Sequence, residues 1–135
     1  MIKIMFLCTA NSCRSQMAEG LARNIGKGKV EAYSAGLFAA GVHPRAAAVM
    51  KEIGVDISGQ RSKEIDHSLF DQMDIVITLC SHAEEYCPVP PASVTKLHWP
   101  IKDPVGTLGT EEDIMNEFRR ARDEIREKIL ELLTS

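Results

Sequence analysis

The sequence predicts an α/β fold, a three-layer sandwich with helices on both faces of a four-stranded parallel sheet. Three observations carry that prediction. Short apolar runs alternate with longer segments of helical periodicity from the N-terminus onward. Strands joined through such crossovers pair in parallel with right-handed connections. The clearest strand, 74–79 (Asp-Ile-Val-Ile-Thr-Leu), is almost continuously apolar, as strands buried on both faces are.

The elements follow in order. Residues 2–7 read as a buried strand, and 15–25 as a helix closed by Gly26 and Gly28. A second strand, 30–33, ends at Ala35-Gly36. Pro44 then opens a helix whose apolar positions Ala47, Val49, Met50 and Ile53 stop before Gly54. The stretch around Ser58, Gly59 and Ser62 reads as turns. Strand 74–79 leaves Cys80 at its C-terminal end. Residues 81–92, with Pro88, Pro90 and Pro91, read as a loop with a short helical start at 82–86. A fourth strand spans 94–99, and Asp103-Pro104 begins a surface loop. In the closing helix Thr110 pairs with Asp113 at the N-cap, and Ile114, Phe118, Ala121, Ile125, Ile129 and Leu132 form one apolar stripe.

At 135 residues, 44% hydrophobic and 26% charged, the chain reads as a single globular domain, 1–135, with a core of its own. The apolar run 2–7 is shorter than a signal-peptide core and leads into polar Thr9, Asn11 and Ser12. No stretch is long enough to span a membrane. The expectation is a cytoplasmic monomer, where four cysteines point to reactive or metal-binding thiols rather than structural disulfides. A net charge of −3 argues against a nucleic-acid partner, because phosphate backbones are held by concentrated Lys and Arg. An anionic ligand would have to be held locally, by backbone amides and an arginine.

In open α/β sheets ligands sit beyond the C-terminal ends of the strands. Cys8, Cys80 and Asp103 all follow strands, so one rim could gather them. The segment Cys8-Thr9-Ala10-Asn11-Ser12-Cys13-Arg14-Ser15 joins the first strand to the first helix. Its amides, the positive helix end and a planar Arg14 guanidinium make an anion cradle, and the same field favours an ionised Cys8 sulfur, the attacking form. Ser15 stands where its hydroxyl could hydrogen-bond that sulfur.

This C-x5-R-S loop, together with Asp103-Pro104 downstream, resembles the active site of low-molecular-weight protein tyrosine phosphatases and of the arsenate reductases that share their fold. The resemblance covers nearly the whole chain. It implies that Cys8 attacks a tetrahedral oxyanion held by residues 9–15 and that Asp103 protonates the departing oxygen. Ala10 stands where relatives carry glycine: either the loop is altered there, with an alanine at positive φ strained by about 1 kcal/mol, or the position does not need glycine.

Phosphoester hydrolysis needs one thiol, whereas arsenate reduction needs two electrons from a thiol pair. Thr78-Leu79-Cys80, with Cys87 seven residues on, resembles the thioredoxin-coupled arsenate reductases. The resemblance implies a relay for arsenic detoxification: Cys8 attacks arsenate, Cys80 attacks Cys8 and expels arsenite, and Cys87 attacks Cys80. The resulting Cys80–Cys87 disulfide would be reduced by thioredoxin after the loop swings outward, with no tightly bound cofactor. The alternative is a low-molecular-weight protein tyrosine phosphatase; Val105 and Gly106, where such phosphatases carry aromatic residues after Asp-Pro, weigh against it. A thiol-based sensor is the third class.

A zinc set of Cys80, His82, Cys87 and His98 lacks C-x-x-C spacing. Cys13 reads as a packing residue, and His43, His67, His98 and Trp99 as surface or core. Asn11, Glu19 and Ser34 match positions that surround a potassium ion in some relatives. The further acidic ligand is replaced here by Lys63, whose ammonium either takes the cation's place or points into water.

Overall fold

The computed structural model describes residues 1–134. Four strands, β1 (Ile2–Cys8), β2 (Val30–Gly36), β3 (Ile75–Thr78) and β4 (Thr95–His98), form one parallel sheet in the order β2-β1-β3-β4. The helices are α1 (Arg14–Ile25), α2 (Pro44–Glu52), α3 (His67–Asp71), α4 (Ser81–Tyr86) and α5 (Glu111–Thr134). This is the α/β arrangement expected, with the central strands β1 and β3 buried almost completely.

Register explains how the site is assembled. Leu7 pairs with Ala35 on one side and Thr78 on the other, and Thr78 pairs with His98. The C-terminal ends of all four strands therefore lie abreast, so Cys8 and Cys80 emerge from neighbouring strands at the same edge. Behind them Phe6, Leu7, Met17, Leu21, Ile77 and Leu79 form a core with almost no solvent exposure. Trp99 packs on it with its ring 6.2 Å from that of Phe6.

The α5 stripe packs as its spacing implies: Phe118, Ala121, Ile125 and Ile129 are buried, with Ile114 and Leu132 partly buried beside them. Its N-terminus is capped reciprocally, the Thr110 amide donating to Asp113 (3.0 Å) and the Asp113 amide to the Thr110 hydroxyl (3.1 Å). Buried Arg122 ties α5 to α2 through the Val49 carbonyl (2.8 Å) and Glu52 (2.9 Å). Among the described residues no helix is long and apolar enough to cross a membrane.

Three details differ from the sequence reading. Strand β2 runs to Gly36 rather than residue 33, because Ser34 and Ala35 pair with Phe6 and Leu7. Helix α3, capped by the Asp66 carboxylate on the Leu69 amide (3.2 Å), stands in a stretch to which the sequence reading assigned no element. In α2 the buried face is Ala46, Val49 and Met50; Ala47 is half-buried, and Ile53 is exposed because the chain turns at Gly54 (φ +79°).

Candidate active site

A cavity of about 720 Å³ opens at the C-terminal edge of the sheet, and Cys8, Arg14, His43, Cys80 and Asp103 line it. Its floor is the loop between β1 and α1. The carbonyls of this loop are tied off outward. Thr9 O accepts from the amides of Leu37 (2.8 Å) and Phe38 (3.2 Å), Ala10 O from Ala40 (3.1 Å), and Ser12 O from His43 (2.9 Å). Asn11 O accepts from the Gln16 side chain (3.1 Å). In a trans peptide the N–H points opposite to its carbonyl, and there are no cis bonds among the described residues. The amides of residues 10–13 therefore turn to the other side, where an anion would sit.

The loop can curl this tightly because Asn11 takes φ +46°, a left-handed conformation that asparagine tolerates. Ala10 is not at positive φ, so that position does not need glycine. Glycine is required instead at Gly36. A Cβ there would lie 2.6 Å from the Asn11 nitrogen, 2.7 Å from Phe38 O and 2.9 Å from Thr9 O, all backbone atoms.

Cys8 Sγ lies 2.8 Å from Ser15 Oγ. The Asn11 side-chain amide donates to that same Ser15 oxygen (2.8 Å), so the Ser15 proton is left to donate to the sulfur. Asn11 is oriented by the Lys63 backbone amide on its Oδ1 (2.9 Å) and by Gln16 (2.9 Å). The nucleophile is thus aligned by a buried chain of donors running Gln16, Asn11, Ser15. Arg14, mostly buried, donates to Ile101 O (2.8 Å) and lies 3.5 Å from the Asp103 carboxylate, whose other oxygen accepts from the Val105 amide (3.0 Å).

Cys80 is the N-cap of α4, its sulfur accepting from the Ala83 amide (3.4 Å) and lying 3.2 Å from Thr9 Oγ1. Cys13 is buried and stays a thiol: burial above all, then the negative charges at Asp103 and Cys8, push its pKa far above the usual range. That fits a packing residue. Of the predicted site residues Asn11, Ser15 and Cys87 do not line the cavity; Asn11 and Ser15 lie buried behind Cys8, whereas Cys87 stands apart. It caps the far end of α4 with its thiol directed at Pro88 O (3.3 Å), and burial raises its pKa.

Lys63 stays partly exposed, but its ammonium turns toward the protein. Its ammonium lies 3.3 Å from Ser34 Oγ, 3.5 Å from Glu19 and from Asn11 Oδ1, and 2.8 Å from Arg61 O, among the three residues singled out as a cation site. Among the described residues no three His, Cys, Asp or Glu side chains gather as a metal site.

Two contributors escaped the sequence reading. His43 is half-buried and N-caps α2, Nδ1 accepting from the Arg45 amide (3.1 Å), while its ring packs against Phe118 at 4.9 Å, tilted by 42°, and lines the cavity. Burial, with Arg45 nearby, lowers its pKa, so it stands in the wall as a neutral ring. The His43-Pro44 pair before an apolar run was the available signal. Ser62, read only as a turn residue, donates to Ala10 O (3.1 Å) and braces the loop.

Residues 3–135 match the family described as low molecular weight phosphotyrosine protein phosphatase. An arsenate reductase of Halalkalibacterium halodurans is 49% identical over 93% of this chain and 91% of its own length. A solved arsenate reductase in its phosphate-binding state superposes with a TM-score of 0.80 at 39% identity, covering 98% of this chain and 97% of that one. A thioredoxin-dependent arsenate reductase of Corynebacterium glutamicum gives a TM-score of 0.71 at 26% identity, covering 98% of this chain and 63% of that one.

Proposed function

This chain belongs to the low molecular weight phosphotyrosine protein phosphatase family, and we propose that it reduces arsenate to arsenite through Cys8, Cys80 and Cys87, with thioredoxin reopening the final disulfide. Arsenate reduction is the part its relatives support. The relay rests on one observation above all: a second cysteine, Cys80, lines the same cavity as Cys8 and touches Thr9. A hydrolytic phosphatase has no use for it.

The chemistry runs as follows. The Cys8 thiolate bonds to arsenic(V) while one arsenate oxygen, protonated by Asp103, leaves as water. Loop amides and Arg14 hold the remaining oxygens, and Ser15 steadies the sulfur. The Cys80 thiolate then attacks Cys8 Sγ. An S–S bond forms as the S–As bond breaks, its electron pair stays on arsenic, and arsenite departs. The Cys87 thiolate attacks Cys80 Sγ, releasing Cys8 as thiolate. Two thiols have become one disulfide, supplying the two electrons. A thioredoxin dithiol returns two electrons and two protons.

The rival phosphatase activity is disfavoured by the rim. Val105 lines the cavity after Asp103-Pro104, so no aromatic wall stands there to stack on a phenyl ring. The deciding assay follows NADPH consumption with arsenate, thioredoxin and thioredoxin reductase, repeated with the glutaredoxin system. Arsenate-dependent turnover with thioredoxin is the expected result. Consumption only with glutaredoxin would reject the thioredoxin coupling, and consumption with neither would reject the reductase reading.

A further inference from the structure

The relay has a geometric obstacle. Cys80 and Cys87 cap opposite ends of α4. Seven residues of α-helix span about 10 Å, whereas bonded cysteines need Cα atoms within roughly 4.4–6.8 Å. While α4 is intact their disulfide cannot form, so what holds α4 in place governs the second half of the relay.

The structure shows a specific fastening. Glu84 closes the first turn of α4, its amide donating to Cys80 O (3.0 Å). Its carboxylate reaches back to the sheet. One oxygen accepts from the hydroxyl of Thr78 on β3 (2.7 Å), and the other from the ammonium of Lys96 on β4 (3.0 Å). His98 Nδ1 lies 2.8 Å from the same Thr78 hydroxyl and 3.6 Å from the Glu84 carboxylate. A hydroxyl has one proton, and the carboxylate takes it, so His98 donates to Thr78. Thr78 is wholly buried, so unwinding α4 takes away its 2.7 Å carboxylate partner and leaves its proton only the more distant Leu97 carbonyl at 3.4 Å. These contacts hold the Glu84 carboxyl below the usual carboxylate range, the Thr78 hydroxyl contributing most and Lys96 next. On the Cys87 thiol the two partners act in opposite senses, Lys96 lowering its pKa and Glu84 raising it, both secondary to burial.

We propose that Glu84 is a positioning residue, pinned to the sheet by Thr78, Lys96 and His98, which holds the Cys80–Cys87 segment in its reduced, helical form and must be released before those two cysteines join. The inference rests on the relay proposed above. The pin stabilises only the dithiol state, so it raises the reduction potential of the pair, as stabilising a reduced form does. Removing it makes the disulfide easier to form and harder to reduce.

The test uses the full chain with Cys8→Ser and Cys13→Ser, leaving Cys80 and Cys87 as the only thiols. The pair is equilibrated with reduced and oxidised dithiothreitol, two electrons and two protons passing between the couples, and trapped thiols are counted by mass. Thr78→Val, which leaves the composition of α4 untouched, is expected to lower the equilibrium constant for reducing the disulfide about tenfold, a shift of about 30 mV to more negative potential. Thr78→Ser, which keeps the hydroxyl, should restore the parent value. Glu84→Gln, on a partly exposed helix position of similar propensity, should shift the potential in the same direction and serves if Thr78→Val does not fold. Parent potentials in both Thr78→Val and Glu84→Gln would overturn the pin while leaving the relay standing. A shift in Glu84→Gln with none in a folded Thr78→Val would assign the effect to the helix alone and also overturn it. If the parent forms no Cys80–Cys87 disulfide in any buffer, the relay falls and the pin with it.

Discussion

Beneath the oxyanion loop the Lys63 ammonium lies 3.5 Å from the Glu19 carboxylate, with Ser34 and Asn11 completing its surroundings. Glu19 is buried and also takes bonds from Ser34 and Arg23. We propose that this ammonium takes the part of a loop-bracing cation. Catalytic efficiency should be equal in potassium and sodium salts of the same ionic strength, measured as kcat/KM for arsenate. A large activation specific to potassium would contradict this.

Ser15 is the next point of leverage. Its hydroxyl is the direct donor to Cys8 Sγ, and hydrogen bonds to charged groups are worth roughly 1.5–3 kcal/mol. Ser15→Ala should lower kcat about tenfold to a hundredfold with little change in KM, because the serine steadies the sulfur and Arg14 and the amides hold the anion. Steady-state arsenate kinetics reads the split. A variant with raised KM and intact kcat would move Ser15 from the sulfur to the anion.

Gly36 has no room for a side chain, since the three nearest atoms to an added Cβ are all backbone within 2.9 Å. Gly36→Ala should cost about 1–3 kcal/mol in urea denaturation, as overpacking does. It should also weaken protection by phosphate or arsenate, because the displaced atoms include the Asn11 amide. Unchanged stability would show that the loop yields freely.

Acid sensitivity should trace partly to the α2–α5 clamp. Hydrogen bonds from Arg119, then Arg122, hold the Glu52 carboxyl below its ordinary value in the folded chain. A carboxylate lowered on folding contributes stability that is full above its unfolded pKa and lost as pH falls through the lowered one. Glu52→Gln should therefore reduce stability at neutral pH and flatten its decline in acid, read from denaturation midpoints between about pH 6 and pH 3. Parallel profiles for the two proteins would exclude the clamp.

How much of this was legible depends on whether the residues were contiguous. Cys8 to Ser15 sit in one short segment at a strand-to-helix junction, so their spacing, that context and the resemblance to a known loop could be read together from the sequence. Thr110 and Asp113 were legible for the same reason. The pin between Glu84, Thr78, Lys96 and His98 was not, because it depends on β3 and β4 pairing in register, which no local pattern encodes. Helix α3 was hidden because five residues give too little periodicity to stand out from turns. For Lys63 the sequence left two readings open, and only the folded chain shows Glu19, Ser34 and Asn11 within 3.5 Å of its ammonium.

The relay itself is tested most directly by mapping disulfides after one equivalent of arsenate, without thioredoxin. Mass spectrometry of the full chain should find a Cys80–Cys87 bond, and the Cys87→Ser variant should instead accumulate Cys8–Cys80 while releasing one arsenite per chain. Arsenite released by Cys87→Ser with Cys8 and Cys80 both still free thiols would contradict the account.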